Sequence, residues 1–328
     1  MAGIKIILGG GIFWSKDQWS PGKLHTFLDS LAAADVEGID AAQIYGDSEA
    51  VLGEAGARNK FEIATKVPGI TVPGSFQTDQ VVLRTRDSLR KLQVDQIDIL
   101  YLHTPDPSIP VEQTLQGVQQ LFTAGAFRRF GISNYTVEDV RKIYEHQKSK
   151  DWVLPSVYQG SYNPITRHYE TDLLPLLREL EISFYAYSPT AGGFLAKSKQ
   201  QVLDGVGRFG KDGGVEGAFY NELYNKPALL EILTTWAEIA KDADTSPYHL
   251  ATRWVSHNSD LKAKHGDALI LGVHDAEQLN ENLAGLKQGP LSPSIAARVD
   301  AVWESARHES MVVDANFIMT MMNKTVQK

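Results

Sequence analysis

Eight short apolar, β-branched runs recur along the chain with helix-patterned stretches between them, and that alternation leaves few folds open. The runs are Lys5 to Gly9, Gly38 to Ala41, Glu62 to Val67, Ile97 to His103, Arg129 to Ser133, Ser156 to Gln159, Ser183 to Tyr187 and Ala268 to Leu271. Between them, apolar positions at 3.6-residue spacing predict helices over Gly22 to Ala34, Ser48 to Ala55, Thr78 to Leu92, Pro110 to Ala124, Thr136 to His146 and Tyr169 to Leu180. In Thr78 to Leu92, the residues Val81, Val82, Leu89 and Leu92 are expected to share the buried face, with Arg84, Asp87, Arg90 and Lys91 in water. Strands alternating with helices form parallel sheets covered by helices, and eight such units close as a (β/α)₈ TIM barrel. The α/β chain of 328 residues is therefore expected to be one barrel domain over 1–328, with extra C-terminal helices.

The long interval between the seventh and eighth runs interrupts this rhythm. Its first part, Thr190 to Gly217, is rich in Gly, Lys and Asp and shows little periodicity, so a lid or clasp over the site is expected there. Its second part predicts two helices, Pro227 to Lys241 and one opening at Ser246-Pro247, an N-cap followed by a first-turn proline. After the eighth run, Asp275 to Gln278 has capping-box spacing. A helix starting there would point its positive end at a bound phosphate.

Composition narrows the function. The chain has no cysteine, which excludes disulfides and thiolate catalysis, and no apolar run approaches bilayer length. The net charge of −8 carries no extended basic stripe, arguing against nucleic acid. Met1 to Lys5 lacks a secretory pattern, so a cytoplasmic enzyme is expected, without a metal site and without a membrane partner. The basic set Lys197, Lys199, Arg208 and Lys211 reads as a solvated loop within reach of a phosphate.

In a (β/α)₈ barrel the active site forms at the C-terminal ends of the strands. Asp40, Lys66 and His103 stand at the ends of runs two, three and four, and Tyr45 follows run two by a few residues. Singly, each has an ordinary structural reading: a helix cap, a surface charge, a core histidine, a loop anchor. Together they make a proton-donating tyrosine with partners. An adjacent ammonium at Lys66 is expected to lower the Tyr45 pKa from about 10, Asp40 to hold that ammonium, and His103 to direct a substrate oxygen. Trp236, Trp254 and Trp303 lie in helical stretches and are expected in the core.

These residues resemble the aldo-keto reductase superfamily nearly end to end. The motifs are Gly38-Ile39-Asp40-Ala41-Ala42 with Tyr45-Gly46, then Ala64-Thr65-Lys66, Leu100-Tyr101-Leu102-His103, Gly131-Ile132-Ser133-Asn134-Tyr135, Tyr158-Gln159 and Tyr187-Ser188-Pro189. Within it, Val157 to Asn163, Ala191-Gly192-Gly193, Arg208-Phe209 and Gly289-Pro290-Leu291 look most like the aflatoxin-aldehyde reductase subfamily. The resemblance implies reduction of an aldehyde or ketone by NADPH, with NADH as the alternative, through Asp40, Tyr45, Lys66 and His103. It implies a small-molecule carbonyl substrate and a homodimer. It places the nicotinamide amide on Ser133, Asn134 and Gln159 and its ring on Tyr187. The pyrophosphate falls to Ser188, Pro189, Ala191, Gly192 and Gly193 with Arg208, and the adenosine end to Gly272, His274, Asp275, Gln278 and Asn282.

The chain also departs from that pattern. His274-Asp275 stands where relatives often carry two small hydroxyl residues, and a carboxylate there opposes the 2′-phosphate of NADPH. Tyr220 to Tyr224 lacks the arginine that would pair with a carboxylated substrate, while Trp14 and Tyr135 are expected as aromatic pocket walls. Two other functions fit the same residues. One is a nucleotide-binding regulatory subunit resembling ion-channel β subunits, with little turnover. The other is a barrel lyase using Lys66 as a Schiff-base amine.

Overall fold

The computed structural model describes residues 3–210, 214–273 and 275–326. Eight parallel strands close into one barrel: β1 Lys5–Gly9, β2 Gly38–Asp40, β3 Glu62–Val67, β4 Ile97–Leu102, β5 Phe127–Ser133, β6 Pro155–Ser161, β7 Ser183–Tyr187 and β8 Ala268–Leu271. β8 pairs with β1 from Lys5↔Ala268 to Leu8↔Leu271, so no edge strand remains to be covered. The (β/α)₈ expectation is met. Differences are confined to strand ends; β2 stops at Asp40 and β4 at Leu102, which leaves His103 just beyond the ladder.

Strand alternation sorts the side chains into two layers. Ile7, Ala64, Ile99, Tyr101, Val157, Tyr185, Ala268 and Ile270 fill the barrel interior, while the intervening residues, such as Leu8, Ile63, Leu100, Phe184 and Leu269, pack outward against the helices. Continued to the strand ends, the inward parity falls on Lys66, His103, Ser133, Gln159 and Tyr187. The chain's period of two therefore aims all five at one mouth.

The helices are α1 Pro21–Ala33, α2 Ser48–Glu54, α3 Thr78–Leu92, α4 Val111–Thr123, α5 Val137–Ser149, α6 Leu173–Glu179, α7 Lys199–Leu203, α8 Gly214–Tyr224, α9 Pro227–Asp242, α10 Pro247–Arg253, α11 Ala276–Lys287, α12 Pro293–Ala306 and α13 Ala315–Val326. α6 is shorter than predicted because Pro175 sits in its first turn. A helix running through from Tyr169 would set the proline ring against the carbonyl four residues back. His168–Glu170 instead forms a separate 3₁₀ turn.

On α3 the buried stripe is Val81, Thr85, Ser88 and Leu92; Val82 and Leu89 only flank it. Two polar residues occupy that stripe because each has a partner. Thr85 Oγ1 donates to the Val81 carbonyl at 2.8 Å, and Ser88 Oγ accepts from Gln43 Nε2 at 2.9 Å. The segment expected to be irregular after β7 holds the 3₁₀ stretch Ala191–Ala196, α7 and the start of α8. Trp236 and Trp254 are 1% exposed, as expected, whereas Trp303 is only partly buried. Among the described residues, no helix is long and apolar enough to cross a membrane.

Candidate active site

Lys66 is fully buried at the mouth, where its Nζ donates to Asp40 Oδ2 at 2.7 Å and to the Ala41 carbonyl at 2.8 Å. Asp40 Oδ1 in turn accepts from Gln159 Nε2 at 3.0 Å. The Tyr45 ring centroid lies 5.0 Å from Lys66 Nζ, and the Tyr45 and His103 rings meet in a T-shaped contact at 5.8 Å and 82°. The four residues predicted as a constellation therefore do meet.

The loop that carries Tyr45 is pinned by Trp14, whose carbonyl accepts from Asp47 N–H at 2.8 Å. Gly46 between them has φ +54°, and a Cβ there would lie 2.2 Å from the Trp14 carbonyl oxygen. Only glycine satisfies both demands.

The charges differ from the sequence expectation in one respect. Burial pushes the Tyr45 hydroxyl up rather than down, and the Asp40 carboxylate adds to the rise. Burial is the larger cause, and the Lys66 donors are directed at Asp40 and Ala41 rather than at the phenol. Burial lowers the Lys66 ammonium, against which Asp40 works by field and hydrogen bond. His103 is held well below 6.5 by burial and then by the Lys66 charge, so the imidazole is neutral, and its Nδ1 is buried without a hydrogen-bond partner.

A second network joins this one. Tyr187 Oη donates to Asn134 Oδ1 at 2.8 Å, while Asn134 Nδ2 donates to the His103 carbonyl at 3.0 Å and to Ser133 Oγ at 3.1 Å. Asn134 holds φ +64°, a left-handed conformation that asparagine tolerates better than most residues. Sequence reasoning missed Asn163, which is fully buried and ties the mouth to the next loop by donating to the Ser188 carbonyl at 3.2 Å. Its signal was the quoted run Val157 to Asn163, read there for likeness only.

After β7 the backbone turns through Ser188, Ala191, Gly192 and Gly193 with φ of +52°, +55°, +65° and +91°, with the buried Pro189 among them. Tyr220 of α8 lies against Gly192, where a Cβ would come within 2.1 Å of its ring. Arg208 stacks over Tyr220 at 5.2 Å and pairs with Glu216 at 3.1 Å. Lys197 is held below its ordinary value by burial and then by Arg208. Two cations brought together on a loop whose backbone bends through consecutive positive φ values fit a phosphate-bearing ligand. Lys211 lies outside the described residues.

At the β8 end, Gly272 is exposed and Asp275 caps α11 by accepting from Gln278 N–H at 2.8 Å. Asn282 lies on the same helix, one turn beyond Gln278. It is 4% exposed and donates to Tyr248 Oη at 2.7 Å, because α11 packs that face on α10. His274 lies outside the described residues. Of the two expected pocket walls, Trp14 is 56% exposed at the rim, but Tyr135 is 3% exposed in the outer core, its carbonyl accepting from Tyr158 Oη at 2.7 Å. The outward packing of the turn after β5 removes Tyr135 from the mouth.

The neutral His103 has a consequence for acid stability. Its native pKa lies below the unfolded value near 6.5, so as pH falls below about 6.5 the unfolded chain takes up a proton that the native site refuses. Stability present above that pH is lost as pH falls toward the native pKa. Urea midpoints at pH 7.5 and 5.5 should therefore fall less steeply in His103→Gln than in the parent, and equal slopes would count against a buried neutral imidazole.

Comparison with known proteins identifies the family. The profile of the Aldo/keto reductase family matches residues 5–304. "Oxidoreductase sirO" of Leptosphaeria maculans is 35% identical over 93% of this chain and 95% of its own length. The human "Aldo-keto reductase family 7 member A3" and "Aflatoxin B1 aldehyde reductase member 4" are each 39% identical over 83% of this chain and 86% of their own. The chain belongs to the aldo/keto reductase family, as an oxidoreductase acting on carbonyl groups.

Proposed function

We propose that the protein reduces aldehydes or ketones to alcohols with NADPH in preference to NADH, and that Tyr45 is the proton donor. One observation carries the reading: the buried Lys66–Asp40 pair lies against the Tyr45 ring, with His103 in T-shaped contact with it, at the C-terminal mouth of the barrel. A reduced nicotinamide cofactor, when bound, supplies hydride to the carbonyl carbon. Ser133, Asn134 and Gln159 would hold its amide, Tyr187 its ring, and the turn from Ser188 to Gly193 with Arg208 its pyrophosphate.

The protein's own part is proton supply. A Tyr45 hydroxyl with a raised pKa stays protonated at neutral pH, and an oxygen becoming an alkoxide is a stronger base than a phenolate, so the proton moves toward substrate. Lys66 then faces the phenolate left behind, and Asp40 keeps Lys66 charged despite burial. A neutral His103 can donate from one ring nitrogen to the carbonyl oxygen. Relatives named for aflatoxin B1 aldehyde support an aldehyde as the substrate class. Tyr220 to Tyr224 of α8 carries no arginine to pair with a substrate carboxylate, which favours uncharged carbonyls over carboxylated ones. Lys66 is bonded to two oxygens at 0% exposure, a poor state for Schiff-base attack. A homodimer and a cytoplasmic setting rest on the family resemblance.

Tyr45→Phe keeps the ring and removes the acid. It should lower kcat on the best aldehyde at least roughly a hundredfold with cofactor affinity almost unchanged. Near-parental turnover would remove Tyr45 from the role of donor.

Cofactor preference turns on Asp275, an exposed carboxylate at the N-terminus of α11 that would oppose a 2′-phosphate. Asp275→Ser keeps a capping oxygen and removes the charge. NADPH should bind tighter by about 1 kcal/mol or more, with NADH nearly unchanged. Equal gains for both, measured by fluorescence titration, would place Asp275 away from the ribose.

A further inference from the structure

Two tyrosine rings, not one, lie within cation–π range of the Lys66 ammonium. Tyr45 is 5.0 Å from Nζ at the ring centroid, and Tyr101 is 5.8 Å. Tyr101 belongs to the barrel interior and is fully buried. The sheet sets its place, since β4 registers Tyr101 beside Lys66 of β3 on one side and beside Gly131 of β5 on the other. Gly131 makes the room. A Cβ there would lie 2.3 Å from Tyr101 Cδ1 and 2.4 Å from Cε1, so the ring rests directly on the Gly131 backbone. The Tyr101 hydroxyl sits beside the Gln159 amide without completing a hydrogen bond of normal geometry. Its ring, not its hydroxyl, is what addresses the ammonium.

We propose that Tyr101 is a positioning residue whose ring face holds the Lys66 ammonium charged and in place beneath Tyr45. A desolvated cation gains more from an aromatic face than a hydrated one does, and this ammonium is cut off from water. The other groups facing Lys66 are Asp40 and the Ala41 carbonyl from the β2 end, Tyr45 from the following loop, His103 beyond β4 and, across the strand, Glu49 of α2. Asp40 and Glu49 favour the charged form and burial opposes it, so the Tyr101 face adds to the weaker side of that balance. Removing the face should let Lys66 lose its proton at lower pH.

The inference deepens the reductase reading, and its primary test needs no turnover. In protein labelled at lysine Cε with ¹³C and free of cofactor, the Lys66 resonance is the one missing from Lys66→Met. Tyr101→Leu is expected to lower its titration midpoint by roughly one pH unit, and Tyr101→Phe, which keeps the ring, to return it to the parental value. Gly131→Ala displaces the ring without changing its chemistry, and should move the midpoint the same way as Tyr101→Leu even where the latter folds poorly. The alkaline limb of kcat/KM should follow these shifts. An unchanged midpoint in both Tyr101→Leu and Gly131→Ala, or an equal shift in Tyr101→Phe, would overturn the proposal. A shifted midpoint in a protein that reduces no aldehyde or ketone with either NADPH or NADH would leave the Tyr101 contact standing and overturn the reductase reading instead.

Discussion

The ion pair between Lys66 and Asp40 is the constraint on which the mouth of this barrel depends. An ammonium at 0% exposure is tolerable only if every donor and face around it is answered, because a buried, unpaired charge is among the costliest defects a fold can carry. Asp40 and the Ala41 carbonyl supply oxygens, Tyr45 and Tyr101 supply ring faces, and Gln159 fixes the second oxygen of Asp40. Changing any of these alters the charge state of the rest. Stability and proton supply are thus properties of one cluster.

Barrel geometry makes that cluster affordable. The inward parity that fills the lower interior with Ile7, Ile99, Val157 and Tyr185 continues upward as Lys66, His103, Ser133, Gln159 and Tyr187. The same register that packs the core positions the chemistry, and the Asn134 side chain links the two by bonding the His103 carbonyl and Tyr187. From that rim, the turns after β7 bring Gly192, Lys197 and Arg208 together around Tyr220 and Phe209.

Strands were legible in the sequence because they are short, largely apolar runs separated by helix-patterned stretches, and the placement of Asp40, Lys66 and His103 at their C-terminal ends followed from them. Helix faces were less legible where polar residues are buried. Thr85 and Ser88 on α3 are satisfied by partners that no local pattern displays. α7 did carry a local signal, the Ser198–Gln201 capping box, hidden within a glycine-rich stretch. The direction of the Tyr45 shift was not legible at all. It depends on how deeply the fold buries the phenol and on its distance from the Asp40 carboxylate, both decided by tertiary contact. Tyr135 illustrates the same limit, since it is an aromatic residue just past a strand end that packing buries in the outer core.

Tyr45 waits as a neutral phenol, its hydroxyl pushed up by burial and by the Asp40 carboxylate. Ultraviolet difference titration of tyrosinate in the ligand-free protein, parent against Tyr45→Phe, tests it directly. The two titrations should coincide up to about pH 10, the ordinary tyrosine value, because Tyr45 contributes no phenolate in that range. One additional tyrosinate appearing in the parent below that pH and missing from Tyr45→Phe would contradict it.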